Sequence, residues 1–160
     1  MASFDDAFDA LIGNEGGYSN NPKDPGGETM WGVTARVARA YGYTGPMREL
    51  PRETAKALAK KLYWDPLHLD SFDSRVSFQI FDANYNGGHP VLWMQGASGA
   101  KVDGLLGPQT ITAVQGTDPL KFILRWNAIR LRYFTALKTW PTFGRGWANR
   151  IADNLKRGAI

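Results

Sequence analysis

The segment from Glu15 to Trp31 holds the residue types best suited to chemistry. Glu15 follows an apolar repeat and precedes Gly16-Gly17. Paired glycines give the backbone freedom that side chains forbid and let a ligand approach closely. A carboxyl at the mouth of a cleft, against apolar residues, has its pKa raised by desolvation and serves as a general acid. Asp24, Glu28 and Thr29 follow in the same stretch, and a returning hairpin would carry Asp24 back across such a cleft. Two carboxylates flanking one bond, one protonated and one ionised, are what glycoside hydrolysis requires. Their separation decides whether the second attacks as nucleophile or activates a water, which Thr29 would position. Two plainer readings stand beside this one. Asp24-Pro25-Gly26-Gly27 suits a turn on backbone grounds alone, and a helix-terminal Glu15 would simply meet solvent.

Rings and amides near these acids would serve a sugar. Tyr18 and Trp31 flank the loop, and Asn84-Tyr85-Asn86 stands before Gly87. The C–H faces of sugars stack on aromatic rings, and asparagine amides bind hydroxyl or N-acetyl groups. Core packing for Trp31 and helix capping for the asparagines are the alternatives. His68, between Asp65 and Asp70, resembles no strong metal-ligand spacing, so surface or structural use is expected and no metal site.

Composition narrows the field further. The 160 residues fit one domain, and 43% hydrophobic with 21% charged is ordinary for a globular chain. The sequence holds no cysteine and two histidines, which excludes a disulfide scaffold, a thiolate metal site and a cysteine nucleophile. Chemistry must rest on carboxylates, hydroxyls and amides. From Lys121 onward there are nine Lys or Arg against one acid, Asp153. Such a basic part suits a polyanionic neighbour, whether nucleic acid, an anionic membrane or an acidic wall polymer, or else a solvated helix face. No nucleic-acid motif accompanies it, so nucleic acid is not an expected partner. The start, Met1-Ala-Ser-Phe-Asp-Asp, is acidic where a secretory signal would be basic and then apolar, so no signal peptide is expected.

The elements that must position these residues are mostly helices. Ser3 caps a first helix whose apolar face is Phe4, Ala7, Phe8, Leu11 and Ile12, stopped by Gly13-Asn14. Residues 13–32 read as a loop or small irregular β-hairpin. Thr34 caps a short helix ending at Tyr41-Gly42, and Pro51 leads a helix running to Trp64. A further helix spans Asp73 to Asn86, with Val76, Ile80, Phe81 and Ala83 buried, and another begins at Pro90. Residues 102–110 form a tight turn into a helix led by Pro108. Asp118-Pro119 opens the longest helix, with a stripe of Phe122, Trp126, Ile129, Tyr133, Leu137 and Trp140. After Pro141 and Gly144, Trp147 to Leu155 forms a final short helix. The expected fold is mostly α, with one small irregular lobe.

Taken in order, these blocks resemble a known family. Glu15-Gly16-Gly17-Tyr18, Asp24-Pro25-Gly26-Gly27-Glu28-Thr29 and Trp31-Gly32-Val33-Thr34 resemble the signature of the glycoside hydrolase family 108 muramidases, found in phage endolysins and bacterial relatives. Tyr63-Trp64 and Phe81-Asp82-Ala83-Asn84 also fit. So do residues 103–110 and Phe143-Gly144-Arg145-Gly146-Trp147 with Arg150, which resemble the family's C-terminal peptidoglycan-binding region. The resemblance implies a lysozyme-like helical fold, with a muramidase region over 1–95 and a peptidoglycan-binding-like region over 96–160 packed as one domain. It implies cleavage of the β-1,4 bond between N-acetylmuramic acid and N-acetylglucosamine, without metal or organic cofactor. Glu15 falls on the catalytic glutamate, with Asp24 and Thr29 as its partners. Tyr18, Glu28, Trp31, Asn84, Tyr85 and Asn86 are the expected substrate contacts. The interval from Asp24 to Thr29 is one residue shorter than in related phage lysozymes, which leaves Glu28 and Thr34 as alternatives to Thr29. The expected partner is peptidoglycan glycan, with the basic C-terminal helices against an anionic envelope and the protein a monomer. Accumulation in a host cytoplasm, with release to the wall through a separate pore protein, is the implied localisation. A lytic transglycosylase on the same bond and a non-catalytic wall-binding module are the rival readings.

Overall fold

The computed structural model describes residues 4–12, 16–20, 22 and 27–159. Glu15, Asp24, the Ser3 cap and the Gly13-Asn14 stop lie outside the described residues. The chain divides into two compact units, Phe4–Pro66 and Leu67–Ile160.

In the first unit, α1 (Phe4–Ile12) buries Phe4, Ala7, Phe8 and Ile12, the face its apolar spacing predicts. The Phe4 ring meets Trp64 edge-on at 5.3 Å and Phe8 at 5.9 Å. A hairpin follows, β1 (Thr29–Met30) antiparallel to β2 (Val33–Thr34), with Thr29 opposite Thr34 and Met30 opposite Val33. Thr34 then caps α2 (Ala35–Ala40), its side chain accepting from the Val37 amide at 3.3 Å. Pro51 precedes α3 (Arg52–Ala59), which the sequence reads as continuing to Trp64. The last turn, Lys60–Trp64, instead widens to π geometry, and Trp64 at its end is fully buried.

The second unit holds α4 (Ser74–Tyr85), α5 (Pro90–Ser98), α6 (Pro108–Gly116), α7 (Pro119–Thr135) and α8 (Trp140–Gly158). Asp73 caps α4 through the Arg75 amide at 2.9 Å, and Asp118 caps α7 through the Lys121 amide at 3.0 Å. The central helix α7 packs on α4, α5 and α8. Its Trp126 stacks on Phe122 at 5.6 Å and meets Trp93 edge-on at 5.8 Å. Each such large buried side chain contributes roughly 1.5–3 kcal/mol by leaving water. The turn before α6 closes around the buried Gln95 amide, whose Oε1 accepts from the Asp103 and Gly104 amides at 3.1 and 3.0 Å. Gln95 Nε2 donates to Asp103 Oδ1 and Thr110 Oγ1.

One expectation needs correcting. The stripe read from Phe122 to Trp140 is broken at Thr135, and the longest helix is α8, with 19 residues against 17 in α7. Pro141 does not separate helices, because it sits in the first turn of α8, where a missing N–H costs nothing. Gly144 does not break α8 either. It is buried against Trp140, and a Cβ there would come within 2.6 Å of the indole ring. Eight helices and one two-stranded sheet among the described residues give the mostly α, lysozyme-like class expected.

Candidate active site

In the first unit the hairpin gains a third chain segment. Ser19 and Thr29 exchange amide hydrogen bonds at 2.9 and 2.8 Å, and the Trp31 amide donates to the Gly16 carbonyl at 2.7 Å. Residues 16–19 therefore run beside β1, and the peptide following Glu15 is fixed to the hairpin. The Ser19–Thr29 bridge also joins the two ends of the stretch that contains Asp24.

The hairpin turn is Trp31-Gly32, with φ of +52° and +76°. A two-residue turn with both central φ values positive matches the twist of the strands and normally takes Asn-Gly or Gly-Gly. A bulky residue there is strained by about 1–2 kcal/mol. The ring packs on Gly16. A Cβ added to Gly16 would collide with Trp31, its Cζ3 at 2.9 Å, and with Ile12 Cγ2 at 2.6 Å. The glycine after Glu15 is thus dictated by close approach, and an indole wall abuts the backbone beside the expected acid. Arg52 pairs with Asp9 and lies 5.1 Å from the Phe8 ring and 5.9 Å from Trp31, bracing helix and hairpin together.

Tyr18 and Glu28 are brought together, the Tyr18 hydroxyl donating to Glu28 Oε2 at 2.6 Å. That hydrogen bond raises the phenol above its ordinary pKa. The Arg48 guanidinium covers the Tyr18 ring at 3.9 Å. Thr29 is half-buried in β1. Trp31 is half-buried as well, neither a closed core residue nor a free platform.

Asn84, Tyr85 and Asn86 lie in the second unit, at the C-terminal end of α4. Asn86 is exposed and caps the helix, its Nδ2 donating to the Asp82 carbonyl at 2.7 Å. Tyr85 meets Phe81 edge-on at 5.6 Å. His68 has a left-handed backbone, φ +55°, at the entry to a short turn, and His89 precedes α5 with its ring 5.6 Å from Tyr133.

Below Asn86 is a charged cluster that the sequence reading did not single out. Asp82 is buried and accepts from Arg130 Nη1 at 2.6 Å, Arg150 Nη2 at 2.7 Å and Asn154 Nδ2 at 2.7 Å. Burial pushes the Asp82 carboxyl upward, but the Arg150 hydrogen bonds and both guanidinium charges outweigh it and hold the group below its ordinary value. Burial lowers the fully enclosed Arg130, against the pull of Asp82. The signal for this cluster is a spacing: Phe122, Trp126, Arg130 and Phe134 recur every fourth residue, which puts an arginine on the core stripe of α7. Beside it, a cavity of about 420 Å³ lies among the end of α4, α7 and α8.

Two family models cover this helical chain, a glycoside hydrolase over its first half and a peptidoglycan domain over its second, and they place it among the glycoside hydrolases directed at peptidoglycan. Residues 8–88 match the family described as Glycosyl hydrolase 108, and residues 89–152 match a "Predicted Peptidoglycan domain". The chain belongs to the Glycosyl hydrolase 108 family. Among solved structures, Brucella abortus SagA is similar, with a TM-score of 0.84 and 28% identity over 98% of this chain and 93% of that one. No curated protein matches the chain.

Proposed function

We propose that the protein is an N-acetylmuramidase, a lysozyme that hydrolyses the β-1,4 bond between N-acetylmuramic acid and N-acetylglucosamine. The observation that carries the reading is the family match over residues 8–88, which spans both loop motifs. Glu15 protonates the bridging oxygen as the C–O bond breaks, and positive charge builds on the muramic anomeric carbon. Asp24 stabilises that charge or directs a water onto it, with Thr29 placing the water. Addition of that water leaves a reducing muramic end. Thr29 is favoured over its alternatives because Glu28 is already engaged by Tyr18 and the Thr34 hydroxyl caps α2.

The same reading makes the protein a monomeric, bacteriolytic, phage-type endolysin that is held in the host cytoplasm and admitted to the wall by a separate pore protein. Lys121, Arg132, Lys138, Arg145 and Lys156 are exposed and would face the anionic envelope. Arg150 and Arg157 are partly spent internally, on Asp82 and over the Phe78 ring at 4.5 Å. Mass spectrometry of digested sacculi tests the reaction. Reducing muramic ends are expected; 1,6-anhydro-muramic ends would make the protein a transglycosylase instead.

A further inference from the structure

The cavity beside Asp82 has a composition that the cleavage chemistry does not use. It lies wholly within the second unit, and its volume of about 420 Å³ falls in the range of small-ligand sites. Arg130 lines it while fully buried, and Arg150 lines it from α8. The single carboxylate of Asp82 serves both guanidiniums, so the cluster carries one positive charge in excess. Arg130 Nε and Nη2 are buried and have no hydrogen-bond partner. Unspent charge on a desolvated cation is costly, and an anion in the cavity beside it would relieve that cost.

The remaining walls fit an apolar body behind such an anion. Tyr133, Phe134 and Trp147 supply rings, the last two stacked at 4.8 Å. Gly87 and Gly88 present bare backbone at φ +87° and +131°, a conformation that favours glycine. Gly146 is the more telling residue. It sits inside α8, where glycine costs about 1 kcal/mol relative to alanine, yet a Cβ there would meet nothing within 4 Å. The helix gives up stability where no packing demands it, and the space left open is the cavity wall.

We infer that this cavity binds the free carboxylate of a peptidoglycan stem peptide, with the partly exposed Arg150 as its anchor, the buried charge of Arg130 behind it, and the aromatic wall against a small side chain such as alanine. In the stem-bearing glycan the lactyl carboxyl of muramic acid is tied up as the amide to the peptide, so the free carboxylates of that unit lie on the stem. The inference rests on the peptidoglycan-directed reading of the chain, and it is independent of Glu15.

Calorimetry with the full chain carrying Glu15→Gln tests it, using a disaccharide bearing its tetrapeptide stem as probe. The same disaccharide stripped of peptide and amidated at its lactyl carboxyl, and the stem-bearing form amidated at its carboxyls, are each expected to bind at least tenfold more weakly. Gly146→Leu, which fills the cavity from a good helix former, is expected to melt at or above the wild-type temperature and bind the intact probe no better than the stripped one. Equal binding of intact and stripped probes, or full binding by a folded Gly146→Leu, would overturn the assignment. None of these outcomes alters whether the wild-type chain releases reducing muramic ends, so the two readings fail separately.

Discussion

Replacing Asp82 by asparagine keeps the shape of the side chain and removes only its charge and acceptor character. Arg130 is wholly buried, and Asp82 is its sole ion-pair partner among the described residues. The carboxylate also receives Arg150 and Asn154, so an amide would turn a donor group toward donors on at least one side. Breaking a buried pair in this way costs about 3–5 kcal/mol. For a chain of this size each kcal/mol is worth about 2–4 °C, so the melting temperature should fall by roughly 6–20 °C. The pH dependence fixes the cause. The folded Asp82 carboxyl titrates below its ordinary value, so its contribution is complete above the unfolded pKa near ~3.9 and is lost as pH falls through the folded value. Urea unfolding should show the full gap between wild type and Asp82→Asn at pH 7 and a shrinking gap below about pH 4. Exchanging both partners for apolar residues, Asp82→Leu with Arg130→Met, should recover most of the loss. A single variant within about 1 kcal/mol of wild type at pH 7 would refute the claim that the Asp82 carboxylate ties α4 to α7 through Arg130 and to α8 through Arg150 and Asn154.

Two smaller perturbations address the loop. Gly16→Ala drives a methyl into Trp31 and Ile12, so thermal melts should show a loss of about 1–3 kcal/mol, and sacculus clearing should fall further than stability does as the peptide after Glu15 shifts. Thr34→Ala removes the α2 cap and should cost about 1 kcal/mol by chemical denaturation, leaving cleavage per folded molecule intact.

Much of the helical frame was legible because its signals are local. Asp73, Asp118 and Thr34 cap the helices that their positions announce, and the apolar spacing of α1 names its buried face. The start of α8 was misread because proline is at once a helix breaker and a good first-turn residue, and sequence alone does not say which. Gly144 misled for a related reason, since its demand comes from the Trp140 ring one turn away. The loop motifs that carry the expected chemistry were visible as residue types, whereas the Trp31-Gly32 turn was not, because tryptophan at positive φ runs against its own preference. The Asp82 cluster was hidden by distance along the chain. Its partners lie 48, 68 and 72 residues away; Asp82 and Arg150 stand in separate blocks of the family resemblance, and the four-residue recurrence through Arg130 is the sign that an arginine joins the core.

The central claim is that one carboxyl, on Glu15, delivers the proton that breaks the glycan. The most direct measurement is the rate at which Glu15→Gln, with a wild-type circular dichroism melt, releases soluble fragments from purified sacculi. General acid catalysis predicts a loss of about a hundredfold or more. A folded Glu15→Gln that clears sacculi at the wild-type rate would contradict the account.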